Sequence, residues 1–125
     1  MKSAIVLFAH GARDPEWAQP FFAIRDLVAQ QFPEVPVSVA FLEIMRPALA
    51  EAIAELAAQG INKITLIPLF MARGGHLKED LPRLLAAIYQ QHPDIQFHTA
   101  PAIGEVAAVL HSIAQWVGTQ HLSTQ

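Results

Sequence analysis

The chain has 125 residues, of which 53% are hydrophobic and only 15% charged, with a formal net charge of −3. That length and composition predict one domain over residues 1–125, and the lack of any lysine or arginine run excludes the broad cationic face that nucleic acid requires. No cysteine is present, which excludes disulfides, thiolate nucleophiles and thiolate metal sites and leaves His, Asp and Glu as metal ligands.

A membrane span needs about 20 consecutive apolar residues, and no run approaches that length. Met1-Lys2 leads directly into strand-like sequence with no leader pattern. The expected location is the cytoplasm, with no membrane partner.

In chain order, the first apolar run is "SAIVLFA" (residues 3–9), followed by a helical stripe of Phe21, Ile24, Leu27 and Val28. Two prolines, Pro15 and Pro20, precede that stripe, so the first helix begins at Pro20 or is kinked near it. "VPVSVAFL" (35–42) then leads to a stripe of Leu49, Ile53 and Leu56, with Pro47 suited to its first turn and Gly60 to its end. "KITLIPLF" (63–70) leads to Leu81, Leu84, Leu85 and Ile88; "IQFHT" (95–99) leads to Val106, Val109, Leu110, Ile113 and Val117. Trp17 and Trp116 fall among helical residues and read as packing residues. Nearly continuous apolar runs suit strands covered on both faces, and spacings of three and four give each helix one apolar stripe. The βαβαβαβα order predicts an α/β fold, an open four-stranded parallel sheet with helices on both faces.

Ligands of such sheets bind at the carboxyl ends of the strands. Those ends read "AHGARD", "EIMR", "MARGGH" and "APAIGE". His10, Glu43 and His76 lie on the first three, 33 residues apart in each case, close to the length of one βα unit. A single histidine at a strand end is ordinarily a hydrogen-bonded loop residue. Three metal-competent groups at equivalent edges predict convergence on one rim, where imidazole and carboxylate suit Co²⁺, Fe²⁺, Ni²⁺ or Zn²⁺ bound transiently.

Around His76, Gly74 and Gly75 admit unusual backbone angles and close approach of a bulky ligand. The positive end of the helix starting near Leu77 favours a neutral ring, as a metal ligand or proton acceptor must be. Asp80, four residues on, shares that helical face and is placed to orient His76 or carry protons outward. Arg13, Arg46, Arg73 and Lys78 lie on or beside these loops, four of the chain's eight Lys and Arg residues, and suit a ligand with several carboxylates. His92, His98, His111 and His121 show no convergent spacing.

"AHGARD", "AFLE" followed by Pro47, "PLF" followed by "GGHLKEDLP", and "PAIG" before the last helix together resemble the CbiX-type sirohydrochlorin chelatases in their short, single-domain form. The likeness runs from about residue 5 to residue 110. It implies a class II tetrapyrrole chelatase fold and insertion of a divalent metal, Co²⁺ foremost with Fe²⁺ or Ni²⁺ as alternatives, into sirohydrochlorin. His10 and His76 match the family's histidines and Glu43 its acidic position. The metal is then a substrate, with no permanently bound cofactor. The resemblance also implies a homodimer, and one small sheet edge is a poor enclosure for a planar macrocycle. Two other functions use the same residues. A metal or tetrapyrrole carrier shares its ligands with a catalyst, and a His-Gly pair near the N-terminus occurs in phosphohistidine enzymes, although these usually have an arginine where Ala9 stands.

Overall fold

The computed structural model describes residues 2–72 and 74–125, with side chains at all of them except 75–77. Four strands, β1 (Ser3–Ala9), β2 (Val37–Phe41), β3 (Lys63–Pro68) and β4 (Gln96–Thr99), pair in parallel in the order β2-β1-β3-β4. Four helices follow them in turn: α1 (Gln19–Gln31), α2 (Leu49–Ala58), α3 (Gly75–Gln91) and α4 (Ala107–Ser123). The expected α/β architecture is the observed one.

Local chemistry sets the boundaries. Asp14 caps a 3-10 turn at Pro15–Ala18 by accepting the Glu16 N–H at 2.9 Å. α1 therefore starts at Gln19 with Pro20 in its first turn, where a missing N–H costs nothing. β2 starts two residues later than its apolar run, because the Val35 N–H closes a turn onto the Phe32 carbonyl at 3.0 Å. α2 ends in a Schellman arrangement: Gly60 takes φ +85°, its N–H donates to Ala57 O at 3.0 Å, and the Ile61 N–H donates to Leu56 O at 3.1 Å.

The sheet separates two clusters. On one face Val6, Phe8, Ile64 and Leu66 meet Leu49, Ile53 and Leu56 of α2 and Leu81, Leu85 and Ile88 of α3, all buried. Each such side chain contributes about 1.5–3 kcal/mol of burial. On the other face Leu7, Ala9, Val39 and Phe41 are packed by Trp17, Phe21 and Phe22, with Trp17 and Phe21 rings 4.8 Å apart.

The last helix departs from the expectation. α4 forms where the periodicity places it, yet none of its residues is buried, and Trp116 is 63% exposed. α4 touches the domain chiefly through the 3-10 turn at Ile103–Glu105 from which it springs. Its apolar stripe is therefore left largely exposed, with Leu110, Ile113, Trp116 and Val117 at 42–63%, against the expectation that Trp116 is a packing residue.

Candidate metal and macrocycle site

β1 and β3 are neighbours whose crossovers leave in opposite directions, so the crevice beyond their carboxyl ends is the sheet's switch point. His10 follows β1 there. Beyond the last register pair, Ala9 with Phe41, the β1–β2 ladder continues through Leu42 N–H to Ala9 O at 2.9 Å and Glu43 N–H to His10 O at 3.1 Å. That continuation sets His10 beside Glu43, with Nε2 and Oε1 2.8 Å apart. Both side chains are about half exposed, 50% and 56%, so the pair faces solvent. The edge of the buried Phe70 ring backs the imidazole, with centroids 6.5 Å apart.

Two backbone features hold Glu43. Gly11 has φ +104°, and a Cβ there would lie 2.0 Å from the Glu43 carbonyl oxygen, so only glycine lets the two rims approach. Ile44 has φ +69°, and the Met45 N–H reaches back to Glu43 O at 2.7 Å across it. A β-branched residue in the left-handed region is strained by roughly 1–3 kcal/mol. Its side chain is 62% exposed at the rim. In the sequence the His-Gly pair of "AHGARD" is the only signal for Gly11, and Ile44 has none.

The cations have different surroundings. Arg13 and Lys78 are exposed. Arg46 is paired with Glu51: Nε donates to Oε1 at 3.2 Å, and Nη2 donates to Oε2. Glu51 also accepts the Ala48 N–H at 3.0 Å, the carboxylate half of a capping box at the start of α2. The Arg46 hydrogen bond, then that of Ala48, hold the Glu51 carboxyl down at about 2, and Glu51 in turn raises the Arg46 guanidinium. Arg46 thus braces its own loop besides facing solvent. The Arg46–Pro47 peptide is cis. Arg73 lies outside the described residues.

α3 begins at Gly75, so His76 falls in its first turn, two residues after the Gly74 cap and downstream of β3. The side chains of Gly75 and His76 lie outside the described residues. Gly74 has an ordinary φ of −63°, and a Cβ on it would meet nothing within 4 Å, so its glycine leaves room without relaxing the backbone. Asp80 is half-buried on the same helix. Among the described residues no group of three or more His, Asp or Glu side chains is close enough to hold a metal; His10 and Glu43 make a pair.

A second close approach shapes the neighbouring loop. A Cβ on Gly104 would lie 1.5 Å from the Met71 carbonyl oxygen, and the Gly104 N–H donates to Phe70 O at 3.1 Å. This locks the loop after β4 against the loop after β3 and presents Met71, 56% exposed. A cleft of about 410 Å³ opens at the same end between α3 and the segment after β4, lined by Leu81, Pro82, Leu85, Pro101 and Glu105 among others.

Residues 4–119 match the family model CbiX. The sirohydrochlorin cobaltochelatase of Methanothermobacter thermautotrophicus is 40% identical over 84 residues, which cover 67% of this chain and 58% of that protein. The chain thus spans somewhat more than half the length of that curated relative. The crystal structure of the CbiX protein of Marinobacter aquaeolei VT8 superposes over 99% of this chain and 98% of its own, with a TM-score of 0.85 and 24% identity. The sirohydrochlorin chelatase SirB of Bacillus subtilis subspecies spizizenii, solved in complex with cobalt, aligns with 82% of this chain and 44% of its own, at a TM-score of 0.67 and 28% identity. With the family model matching residues 4–119, almost the whole chain, the chain belongs to the CbiX family.

Proposed function

We propose that this protein inserts a divalent metal ion into sirohydrochlorin, with Co²⁺ as the principal metal and Fe²⁺ or Ni²⁺ as further substrates. The observation that carries the reading is the His10–Glu43 pair, an imidazole and a carboxylate 2.8 Å apart, half exposed, at the switch-point rim of the sheet. The cobaltochelatase relative supports the choice of metal.

Insertion removes two pyrrole protons and exchanges the metal's water for ring nitrogens. His10, with Glu43 orienting its ring and stabilising the charge that develops, takes a pyrrole proton or carries the metal inward. His76, in the first turn of α3, supplies the second imidazole, and Asp80 one turn further on relays the proton to water. Arg13, Arg46, Arg73 and Lys78 hold the peripheral carboxylates, and Gly74 with Gly75 leaves space for the ring. Ile44 and Met71, both largely exposed at these loops, offer apolar contact to the ring plane. One rim covers one side of the macrocycle, so a second copy of the chain supplies the opposite wall.

The test mixes the protein with metal-free sirohydrochlorin and Co²⁺, Fe²⁺ or Ni²⁺ in turn and follows the absorption change. Insertion well above the protein-free rate, lost in His10→Ala and in His76→Ala, is the expected result. Macrocycle binding with no acceleration for any metal would make the protein a carrier instead.

A further inference from the structure

The segment just past β2 turns in an uncommon way. Ile44 stands at φ +69° with the Met45 N–H bonded to Glu43 O at 2.7 Å, a γ-turn of the rare, strained hand. The mirror form closes the same three-residue hydrogen bond at negative φ and is common, so the hydrogen bond alone does not require this hand. Glycine or asparagine would take the positive φ at little cost, whereas isoleucine, branched at Cβ, is strongly disfavoured there. Met45 turns inward, half-buried against the cluster that α1 covers, and Ile44 is left 62% exposed.

The loop past β3 reaches the same placement by another means. In the strand order β2-β1-β3, His10 has Glu43 on one flank, through Glu43 N–H to His10 O, and the Phe70 ring on the other. The residue after each neighbour is apolar and exposed: Ile44 follows Glu43, and Met71 follows Phe70. Gly104 holds Met71 through the close approach at its carbonyl. The other exposed large apolar side chains among the described residues lie on α1, directly after it, or on α4. The rim thus carries an apolar group, an imidazole and a second apolar group across three neighbouring strand ends, a row about 10 Å wide at two strand spacings.

We infer that the strained turn holds Ile44 as a fixed apolar post, paired with Met71, that centres a flat ring with its polar middle over His10. This rests on the chelatase reading and gives Ile44 a task in placing the macrocycle. A ring with its N–H groups at the centre and its carbon frame outside them has the same alternation as the row. The flanking side chains then meet carbon, and the imidazole meets nitrogen. A slack loop would offer the same apolar area yet let the ring slide. A strained turn persists only where its surroundings over-determine it. Here they are the close approach of Gly11 to the Glu43 carbonyl on one side and the inward Met45 on the other. Stability lost at Ile44 is thereby matched by a gain in placement of the ring.

The test measures stability and ring binding on the same variants, with metal-free sirohydrochlorin as the probe and no metal present. Ile44→Asn removes the post and suits the left-handed backbone. Its urea midpoint is expected to rise while the dissociation constant for the macrocycle increases by about tenfold. Ile44→Leu, apolar again and without the branch at Cβ, is expected to recover most of the lost affinity. Met71→Ser, where the backbone has no positive φ, is expected to weaken binding with the urea midpoint unmoved. A urea midpoint that fails to rise in Ile44→Asn overturns the strained post, because Ile44 then supports the fold. A dissociation constant unchanged in Ile44→Asn also overturns it, and metal insertion by the wild-type chain then leaves the chelatase reading standing. A wild-type chain that binds no macrocycle overturns both.

Discussion

A methyl group on Gly11 would meet the Glu43 carbonyl oxygen at 2.0 Å, in backbone already at φ +104°. Gly11→Ala is therefore expected to destabilise the protein by roughly 2–4 kcal/mol, because it combines a backbone that L side chains avoid with a contact that the chain can relieve only by parting the β1 and β2 rims. The urea midpoint measures this, and an unchanged midpoint would show the rims more yielding than their hydrogen bonds imply. Glu43→Gln leaves a side chain of the same shape beside His10 and removes only the charge. If Glu43 steadies a protonated His10 during insertion, the rate falls by about 100-fold, the usual scale of positioned proton transfer, with the urea midpoint unmoved. Insertion at the wild-type rate in this variant would reduce Glu43 to an exposed hydrogen-bonding neighbour. His10 and Glu43 are legible in the sequence because strand ends recur at the interval of one βα unit. Their dependence on Gly11 is not legible, because that contact arises from the register between two strands, and nothing in the local sequence of either specifies it.

At the scale of elements, the segment between β2 and α2 does two tasks, placing Glu43 on the rim and starting α2. Glu51 links the two through Arg46 and the Ala48 N–H. Since its carboxyl titrates near 2 in the fold against an ordinary 4.5, the folded state holds the charged form more tightly than the unfolded chain does. The resulting stabilisation is fully present above about pH 4.5 and is lost as pH falls toward about 2. The pair is exposed, so the effect is small at ordinary salt. The difference in thermal midpoint between wild type and Glu51→Gln should be constant from neutral pH to about 4.5 and shrink below it; a difference that stays constant down to pH 2 would contradict the linkage. From its place in a strand-end loop, Arg46 is expected to be a ligand-facing cation alone. Its bond to Glu51, five residues on, depends on the path of the Arg46–Pro47 turn, which residue types alone do not reveal. The helical stripes of α2 and α3 were legible because their burial lies within the chain. The stripe of α4 was equally legible, yet periodicity says only that a face wants cover and is silent on which molecule provides it.

For the whole molecule, the rim and the last helix lead to the same requirement. His10 and Glu43 stand half exposed at one edge of a four-stranded sheet, and a planar ring resting there has one face in water unless something closes over it. Exclusion of water matters for this chemistry, because the pyrrole protons must pass to chosen bases and the metal must shed its hydration shell within reach of the ring nitrogens. If a second copy supplies that closure, activity follows the concentration of the assembly by mass action. Specific activity should then be flat at high protein concentration and fall on dilution, with the same midpoint concentration at which light scattering or sedimentation shows dimer giving way to monomer. Trp116→Glu should shift both midpoints to higher concentration together, because Trp116 stands 63% exposed on α4, far along the chain from the strand-end loops that carry His10 and Glu43. Specific activity that remains constant through the dissociation midpoint would show that one copy encloses its substrate alone, and the cleft between α3 and the segment after β4 would then be the enclosure to examine.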